Sequence, residues 1–475
     1  MRVPGNDVIC APASGRGGAV SILRISGEGC LAVVDSVVAF RSGDAASCQG
    51  FRVKFGVVPE LDEVLVSIFR APHSYTGEDM AEICCHASDY IVSALMERLC
   101  NTGCRLAEPG EFTRRAFVSG KMDLSQAEAV ADLIAADSAA SHKLAFSQLR
   151  GAYSQKLHEL RTQMTELAAL LELELDFSEE EVEFADRSRL KALAGDTLAE
   201  CLRLADSFRL GNAFKKGIPV AIVGAVNSGK STLLNALLGE DRALVSDIPG
   251  TTRDTVEEVI SLKGIKYRFI DTAGLRETLD TVEKMGIERS LSQIDKASVV
   301  IVLLDAAAPF DELRPIVSAV RERLQEGARV VWVRSKADLL APGEKQGSFA
   351  PGKAGTVPAG CDNRAFCTRL GIPEAIELSA LDGRGLDELR EAISRPDSDS
   401  LAADAVMVTN QRHHDALRRA CEDLRRVIDG LDASAPTDLV AEDLRSAISA
   451  LGEIFGEILP DDILGTVFGR FCIGK

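Results

Sequence analysis

The sequence predicts a multidomain protein of the α/β and α classes, and three observations support this. Short β-rich runs alternate with glycine and proline turns up to about residue 121, which predicts an N-terminal α+β domain. Apolar residues then recur at helical spacing to about residue 210, and again from residue 410. Between these helical segments, short apolar strands alternate with helices, as is typical of a doubly wound parallel sheet. The sequence therefore predicts a doubly wound α/β block inserted into a discontinuous helical domain.

The individual elements are predicted in chain order. A helix is predicted to begin after Asp123, since Gln126 three residues later completes a capping box. Two further helical stripes are predicted over 417–431 and 440–458. The stretch 341–374 is rich in proline, glycine and serine and is predicted to be a mobile insertion with no chemistry of its own. The predicted strands are 18–25, 63–69, 80–84, 220–223, 267–270, 299–304 and 330–333.

Length, composition and charge exclude several classes of protein. A chain of 475 residues has room for about three domains, and 46% hydrophobic with 27% charged residues excludes a fibrous or wholly disordered chain. The net charge of −18 predicts repulsion from nucleic acid, so that an RNA contact requires a local basic patch or a partner. Twelve cysteines without a Cys-x-x-Cys pair fit neither a zinc nor a disulfide framework. No apolar run suits a signal peptide or a membrane span, which predicts a cytoplasmic protein without membrane contact.

The segment 224–231, GAVNSGKS, follows a predicted strand and begins a helix, which is the context of a phosphate-binding loop. Its backbone N–H groups and the helix N-terminus are expected to bind nucleotide phosphates. Lys230 is expected to bridge the β- and γ-phosphates, and the Ser231 hydroxyl to ligate Mg²⁺. A structural glycine-rich turn is the disfavoured alternative, because a chance match in this context is rare.

The segment 271–274, DTAG, closes a predicted strand, as expected of the aspartate that holds the hydration shell of the metal and the glycine that senses the γ-phosphate. Thr251 and Thr252 lie in the preceding loop, where a second hydroxyl would complete the Mg²⁺ shell. Together with the phosphate loop, these residues predict a nucleoside-triphosphate switch.

Leu275 stands where Ras-like proteins carry a water-orienting glutamine, and leucine lacks the polar group for this role. Glu283 is the candidate replacement, although a solvated helix charge is the alternative interpretation.

The segment 335–338, SKAD, predicts the identity of the base. The Asp338 carboxylate can accept two hydrogen bonds from the N–H edge of guanine, a pattern that adenine does not offer, while the stem of Lys336 covers the ring. The usual first residue of this motif is asparagine, so Ser335 is a departure. Ser379 and Ala380 are predicted to form the loop beside the guanine oxygen. The expected substrate is therefore GTP and not ATP.

Asn227 places a carboxamide beside the β- and γ-phosphates, where its oxygen and the carbonyls of 246–251 are suited to a monovalent cation. Lys230 and Glu283 are the two catalytic candidates. The full set of candidate GTP-binding residues is Asn227, Ser228, Gly229, Lys230, Ser231, Thr232, Ser246, Asp247, Ile248, Pro249, Gly250, Thr251, Thr252, Asp271, Thr272, Ala273, Gly274, Ser335, Lys336, Ala337, Asp338, Ser379 and Ala380.

Segments along nearly the whole chain resemble the tRNA-modification GTPase MnmE (TrmE) family. They are GRGG at 15–18, ILRISG at 22–27, YTGED at 75–79, PGEFT at 109–113, GTTRD at 250–254 and FCIGK at 471–475. The resemblance implies a tetrahydrofolate-binding and dimerisation domain at 1–120, a helical domain at 121–214 and 391–475, and an inserted Ras-like G domain at 215–390. The two ends of the chain carry the resemblance, because many GTPases share a phosphate loop.

The resemblance also implies ligands and roles for individual residues. It implies a potassium-stimulated GTPase in which Glu283 orients water. The implied K⁺ ligands are Asn227, Ser246, Ile248 and Thr251, the implied Mg²⁺ ligands are Ser231 and Thr252, and the implied folate contacts are Arg24, Glu82, Lys121 and Lys475. Cations suit the glutamate tail of a folate and a carboxylate suits the donor edge of its pterin, whereas each of these residues taken alone would be interpreted as a surface charge. The family's His-Gly-Gly is replaced here by His86, Ala87 and Ser88.

The implied activity involves a homodimer, a tRNA and an MnmG-type FAD protein, with which the chain forms a heterotetramer. The pair would add an aminomethyl or carboxymethylaminomethyl group to the five-position of the wobble uridine, using 5,10-methylene- or 5-formyl-tetrahydrofolate. A regulatory GTPase of ribosome assembly is the alternative, since it would share the whole G domain. Cys472 is assigned no catalytic role, and the acidic run 177–184 is interpreted as a solvated helix start.

Overall fold

The computed structural model describes residues 7–15, 17–176, 187–241, 258–270, 293–325, 327–340, 362–402, 406–457, 461–469, 471, 473 and 474. Contacts divide the chain into two compact units. Unit 1 comprises residues 1–135, 145–206 and 410–475, and unit 2 comprises residues 136–144 and 207–409. The predicted fold class is confirmed, with an α+β part and helices in unit 1 and an α/β sheet in unit 2. The exact domain boundaries stay predictions.

The secondary structure includes every strand predicted from the sequence. The strands are β1 (Ile9–Pro12), β2 (Val20–Ser26), β3 (Ala39–Phe40), β4 (Arg52–Val58), β5 (Asp62–Phe69), β6 (Met80–His86), β7 (Arg105–Leu106), β8 (Ile218–Gly224), β9 (Glu258–Leu262), β10 (Ile265–Phe269), β11 (Val299–Asp305), β12 (Arg329–Ser335) and β13 (Ile376–Glu377). The helices are α1 (Cys30–Val37), α2 (Asp89–Asn101), α3 (Glu111–Val118), α4 (Leu124–Ala135), α5 (Ala139–Leu149), α6 (Ala152–Asp176), α7 (Arg187–Lys216), α8 (Lys230–Asp241), α9 (Phe310–Arg323), α10 (Asn363–Leu370), α11 (Leu386–Ala402), α12 (Gln411–Asp432), α13 (Thr437–Phe455) and α14 (Asp461–Phe468).

The N-terminal part of unit 1 is a seven-stranded sheet with the strand order β3-β4-β5-β6-β2-β1-β7. Its pairs are antiparallel except for the parallel pair of β1 and β7. Side chains such as Leu23, Val66 and Ile83 form a buried cluster with Val34 of α1 and Leu95 of α2. Each such side chain contributes about 1.5–3 kcal/mol by leaving water. Because side chains alternate along a strand, the residues between them point to the opposite face of the sheet.

The predicted capping box at the start of α4 is confirmed. The carboxylate of Asp123 accepts a hydrogen bond from the Gln126 N–H at 2.8 Å, and the side-chain oxygen of Gln126 accepts one from the Asp123 N–H at 3.0 Å. This exchange satisfies two N–H groups that the helix leaves without intrahelical partners. The sequence alone therefore determines where α4 begins.

The two helical segments pack together in unit 1, as predicted. Helix α13 contacts α6 from the first segment and α12 from the second. The predicted stripes supply the buried side chains, among them Leu417 and Leu424 on α12 and Leu444 and Leu451 on α13. Ion pairs join the segments at the surface, as between Lys191 and Asp432 at 2.6 Å. Neither segment buries its apolar stripe alone, because each stripe needs the other as its partner.

A nearly buried ionic cluster links the same helices. The Glu128 carboxylate of α4 lies 2.6 Å from His413 Nε2 and 3.1 Å from the Arg412 guanidinium, both on α12. Arg412 also donates to the carbonyls of Glu453 and Ile454 at 2.6 and 3.2 Å. Burial disfavours the charged form of Glu128, but His413 and Arg412 outweigh burial and lower its pKa to about 2.

We expect this cluster to stabilise the protein in a pH-dependent way. Since the pKa of Glu128 is lower in the folded state than its ordinary value of 4.5, the stabilisation is complete above about pH 4.5 and is lost as the pH falls toward 2. Glu128→Gln should therefore be less stable than the parent chain at pH 7, and the difference should shrink below pH 4.5. Urea unfolding followed by circular dichroism at several pH values measures this. An unchanged difference at pH 3 would contradict it, and Glu172→Gln, at an exposed ion pair with Arg445, is the control.

Unit 2 contains a six-stranded sheet with the order β13-β12-β11-β8-β10-β9, in which only β9 is antiparallel to its neighbour. One face is covered by α8 and α11, with Leu234 and Leu389 among the buried residues. The other face is covered by α9 and α10, with Leu313 and Phe366. Helices on both faces make this the predicted doubly wound sheet.

The prediction of a mobile insertion at 341–374 is wrong for its last third. Residues 363–370 form helix α10, whose N-terminus is capped by the Asp362 carboxylate accepting the Ala365 N–H at 2.7 Å. Phe366 and Leu370 are buried in the core of unit 2. The helix has only two turns, so its apolar spacing is too short to be recognised among the surrounding turn residues. Residues 341–361 lie outside the described part of the chain.

Candidate functional site

The parallel strands of unit 2 place their carboxyl ends at one edge of the sheet. Strands β8, β11, β12 and β13 are mutually parallel, and their ends lead into the phosphate loop, Asp305, the segment 335–338 and the segment 379–380 respectively. In doubly wound folds, ligands bind at this edge. The structure therefore brings together the phosphate loop and the base-recognition segments that the sequence predicts.

The phosphate loop has a backbone that few side chains tolerate. A Cβ atom on Gly224 would lie 2.5 Å from Ser228 Oγ and 2.8 Å from the Leu303 carbonyl oxygen, so glycine is required there. Asn227 and Gly229 both have left-handed backbone conformations, with φ of 61° and 96°. Such turns direct neighbouring N–H groups into one concavity, and helix α8 begins immediately afterwards at Lys230. The loop and the helix N-terminus together form an anion-binding site.

Lys230 lies directly over this loop. Its Nζ donates hydrogen bonds to the carbonyl oxygens of Gly224 at 3.0 Å and Ala225 at 2.7 Å. Burial lowers the pKa of Lys230, because the charged form is partly desolvated. Within the described residues, no carboxylate forms an ion pair with Lys230. Its charge is therefore available to an anion in this loop, and its contact with phosphate oxygens stays a prediction.

The segment 335–338 is tied to the phosphate loop. Ser335 Oγ donates to the backbone carbonyl of Ser228 at 2.8 Å, and the Ala337 N–H donates to the Leu378 carbonyl at 3.0 Å. Lys336 adopts a left-handed conformation, with its Nζ 2.7 Å from the carboxylate of Asp305. These contacts fix the loop between β11 and β13.

Three further features of this edge bear on base recognition. Asp338 is exposed, so its carboxylate is accessible to a ligand. Asp305 orients Lys336, and no motif in the sequence identifies it as part of the site, although it directly follows a predicted strand of the same sheet. Ser379 is buried and Ala380 half-buried just after β13, next to this segment.

Several predicted residues lie outside the described part of the chain. They are Ser246, Asp247, Ile248, Pro249, Gly250, Thr251, Thr252, Asp271, Thr272, Ala273, Gly274, Glu283 and Lys475. Of the predicted Mg²⁺ ligands, Ser231 is described. It is half-buried in the first turn of α8, and its hydroxyl is an oxygen donor of the kind that Mg²⁺ prefers. Thr232 follows it and is exposed.

A second group of predicted residues meets in unit 1. Arg24 on β2 pairs in register with Glu82 on β6, and its guanidinium lies 2.9 Å from the carboxylate. The same guanidinium lies over the rings of Tyr75 and Phe112, 5.2 and 5.6 Å from their centroids. Arg24 also donates to the carbonyl oxygen of Gly474 at 3.3 Å, so the C-terminal segment reaches this pair.

Tyr75 and Phe112 also belong to this group, although no pattern in the sequence identifies them there; they lie in the YTGED and PGEFT segments. A guanidinium, a carboxylate and two aromatic rings are a suitable set of groups for a flat heterocycle with polar edges. Lys121 donates instead to the Pro72 carbonyl at 3.0 Å. The structure thus brings together two of the predicted folate-contacting residues, Arg24 and Glu82.

Two family models match this chain. The model of the MnmE helical domain matches residues 124–472, and the model of the GTP-binding protein TrmE N-terminus matches residues 8–121. The tRNA modification GTPase MnmE of Bacteroides fragilis is 44% identical to this chain over 99% of both chains. That of Porphyromonas gingivalis is 46% identical over 99% of this chain and 98% of its own. This chain belongs to the tRNA modification GTPase MnmE family.

Membership of the MnmE family makes the chain a GTP hydrolase that acts in tRNA modification. Among solved structures, the G domain of the FeoB iron transporter of T. maritima is 26% identical, covers 38% of this chain and 97% of its own, and has a TM-score of 0.25. Among the helices of the described residues, none combines the length and the apolar character that a membrane span requires. The MnmE family name agrees with the substrate class, GTP, that the base-recognition segment predicts.

Proposed function

We propose that this chain is a potassium-stimulated GTPase that helps to install an aminomethyl or carboxymethylaminomethyl group at the five-position of the wobble uridine of certain tRNAs. The observation that carries the proposal is the meeting of a phosphate loop and a base-recognition segment at one sheet edge, in a chain related to the MnmE family along 99% of its length. The proposed domains are a folate-binding and dimerisation domain at 1–120, a helical domain at 121–214 and 391–475, and a G domain at 215–390.

In the proposed GTPase reaction, the phosphate loop binds the triphosphate and Lys230 neutralises charge on its outer phosphates. Ser231 and Thr252 would hold Mg²⁺, whose charge would stabilise the negative charge of the leaving nucleoside diphosphate. Glu283 positions the attacking water. The proposed K⁺ ligands are Asn227, Ser246, Ile248 and Thr251. Asn227 supports the K⁺ proposal, since its left-handed backbone lies within the phosphate loop and its side chain is exposed.

In the proposed folate site, 5,10-methylene- or 5-formyl-tetrahydrofolate would supply the one-carbon unit. Glu82 would accept hydrogen bonds from the pterin edge, and Arg24 would hold Glu82 in place. Lys121 and Lys475 would bind the anionic glutamate tail. The aromatic rings of Tyr75 and Phe112 beside Arg24 support this proposal, because they offer flat apolar surface next to the polar pair.

The proposed partners follow from charge and family. A net charge of −18 disfavours direct binding of RNA, so an MnmG-type FAD protein would supply much of the RNA-binding surface in a heterotetramer. The chain itself would act as a homodimer in the cytoplasm. The tRNA is the shared substrate of the two proteins.

The proposal is tested by nucleoside analysis of tRNA from a bacterial strain that lacks its own MnmE-type protein. Expression of this chain should restore the modified wobble uridine. Glu82→Gln should restore GTP turnover but not the modification, because it replaces one of the two acceptor oxygens proposed for the pterin edge with an N–H donor and leaves unit 2 unchanged. Glu63→Gln, at an exposed carboxylate of the same sheet, should restore both.

The outcome that contradicts the tRNA proposal is an unmodified wobble uridine despite active GTP turnover by the expressed parent chain. The K⁺ part has its own readout. Purified protein should hydrolyse GTP at least about 10-fold faster in K⁺ than in Na⁺ if a monovalent cation stabilises transition-state charge. Equal rates would remove the K⁺ ligands from the proposal and leave the tRNA activity intact.

A further inference from the structure

The last residue of β12, Ser335, is held through its hydroxyl and its backbone carbonyl. Its side chain is in the core, with 3% of the residue exposed. Its Oγ donates to the Ser228 carbonyl at 2.8 Å, and its own carbonyl accepts the Ala306 N–H at 3.0 Å. Ser335 therefore joins the base-recognition segment to the phosphate loop.

The Ser335 hydroxyl can donate only a limited number of hydrogen bonds, and this limits its further contacts. A serine hydroxyl has one proton, and here that proton is used on a carbonyl that can only accept. What remains on Oγ is acceptor capacity. The Hoogsteen edge of guanine, where N7 and O6 lie, also presents only acceptors. While the Ser335–Ser228 hydrogen bond exists, Ser335 therefore has no proton for this edge of the base.

Asparagine, the usual residue at this position, has a different capacity. Its amide carries two protons, so that one can bond the loop carbonyl while the other remains for a ring nitrogen.

The remaining contacts of the segment hold the loop in place without contacting the base. Lys336 is paired with Asp305, and the Ala337 N–H is used by the Leu378 carbonyl. The exposed carboxylate of Asp338 is accessible to the base.

We propose that Ser335 acts as a positioning residue that ties the base-recognition segment to the phosphate loop and gives no hydrogen bond to guanine N7. Base discrimination then rests on Asp338, which reads the opposite edge of the ring. This inference rests on the proposed guanine-nucleotide site. It predicts that the chain distinguishes guanine from bases that lack the two N–H donors, yet is indifferent to the loss of N7.

The test is calorimetric binding of GDP, 7-deaza-GDP and inosine diphosphate to the full-length parent chain. GDP and 7-deaza-GDP, which lacks only the N7 acceptor, should bind with equal affinity within about 1.5-fold. Inosine diphosphate, which lacks one N–H donor for Asp338, should bind at least about 10-fold more weakly, as expected for a lost hydrogen bond to a charged group. A 3-fold or larger loss with 7-deaza-GDP would overturn the inference.

Two variants separate the effect of the Ser335–Ser228 hydrogen bond from recognition of guanine N7. Ser335→Asn should bind GDP about 3- to 10-fold more tightly than the parent chain, and 7-deaza-GDP should lose that gain, because the new amide supplies the missing donor. Ser335→Ala removes the tie and should weaken GDP and 7-deaza-GDP by the same factor. The four affinities of parent and Ser335→Asn for the two ligands form a cycle that isolates the N7 contact. A Ser335→Asn variant equally insensitive to N7 would contradict the proton count.

Failure of this inference is distinguishable from failure of the proposed function. If ADP competed with GDP on equal terms, the guanine site itself would be wrong. If GDP bound selectively but N7 mattered in the parent chain, only the role of Ser335 would be wrong. The restoration of modified wobble uridine is read out independently of both.

Discussion

Lys230→Ala is expected to lower GTP turnover by about 10²–10³-fold, the usual effect of removing one preorganised group that stabilises transition-state charge. The Lys230 ammonium lies 2.7–3.0 Å from two carbonyls of the phosphate loop, at the N-terminus of α8. It is held there by backbone atoms, so the free protein has already paid part of the entropy of positioning it. The measurement is the steady-state rate of phosphate release at saturating GTP and Mg²⁺.

The control for this prediction is Lys263→Ala in the same unit. Lys263 is half exposed and pairs with Glu391 at 2.6 Å, so the substitution removes the same charge at a distance from the sheet edge. Its turnover should stay within about 2-fold of the parent chain. A loss of less than 10-fold for Lys230→Ala would contradict the assignment of this loop as the catalytic phosphate site.

Arg115→Met is expected to destabilise unit 1 by about 3–5 kcal/mol, the typical cost of removing one partner from a buried ionic network. The Arg115 side chain is 1% exposed and donates to Asp7 at 2.8 Å and to Glu78 at 3.1 Å. It also lies 3.3 Å from the equally buried Glu111. Without Arg115, Asp7 and Glu111 would keep their ion pairs with Arg105, whereas Glu78 would lose its ion pair with a guanidinium.

Urea unfolding followed by circular dichroism measures the loss. Fluorescence of Trp332, the one tryptophan of the chain, reports on unit 2. The urea concentration at which unit 2 unfolds should not change. Arg445→Met, at an ion pair with Glu172 in which both side chains are more than half exposed, should cost about 0–1 kcal/mol. Equal stabilities of the Arg115 and Arg445 variants would show that the network contributes no more than a surface pair.

Local patterns in the sequence predicted the parts of the fold that depend on neighbours along the chain. The capping box of Asp123 and Gln126 has both of its hydrogen bonds, because the partners are three residues apart on one helix turn. The strands of unit 2 were recognised as short apolar runs since both faces of that sheet are buried. Helix α10 was missed because two turns carry too little periodicity.

The candidate sites were predictable to the extent that each carries a contiguous motif. The phosphate loop and the segment 335–338 were found in this way, and their placement at one sheet edge follows from parallel strands. Asp305, Tyr75 and Phe112 were not assigned, because each contributes through a contact with a residue far away in sequence. The ionic partners of Arg115 were hidden for the same reason, with Asp7 lying 108 positions away.

The sequence by itself determined the class of the fold, the phosphate loop, the guanine-type segment and the family, because these depend on residue types at short, regular spacings. Only the tertiary structure decided how polar groups are shared between distant segments. It showed that the Ser335 hydroxyl donates its proton to the Ser228 carbonyl and that Lys336 is paired with Asp305. It also showed that Arg24 meets Glu82, two aromatic rings and the C-terminal segment. The physical reason is that a hydrogen bond has a distance and a direction, and packing alone sets both for residues that lie far apart in the chain.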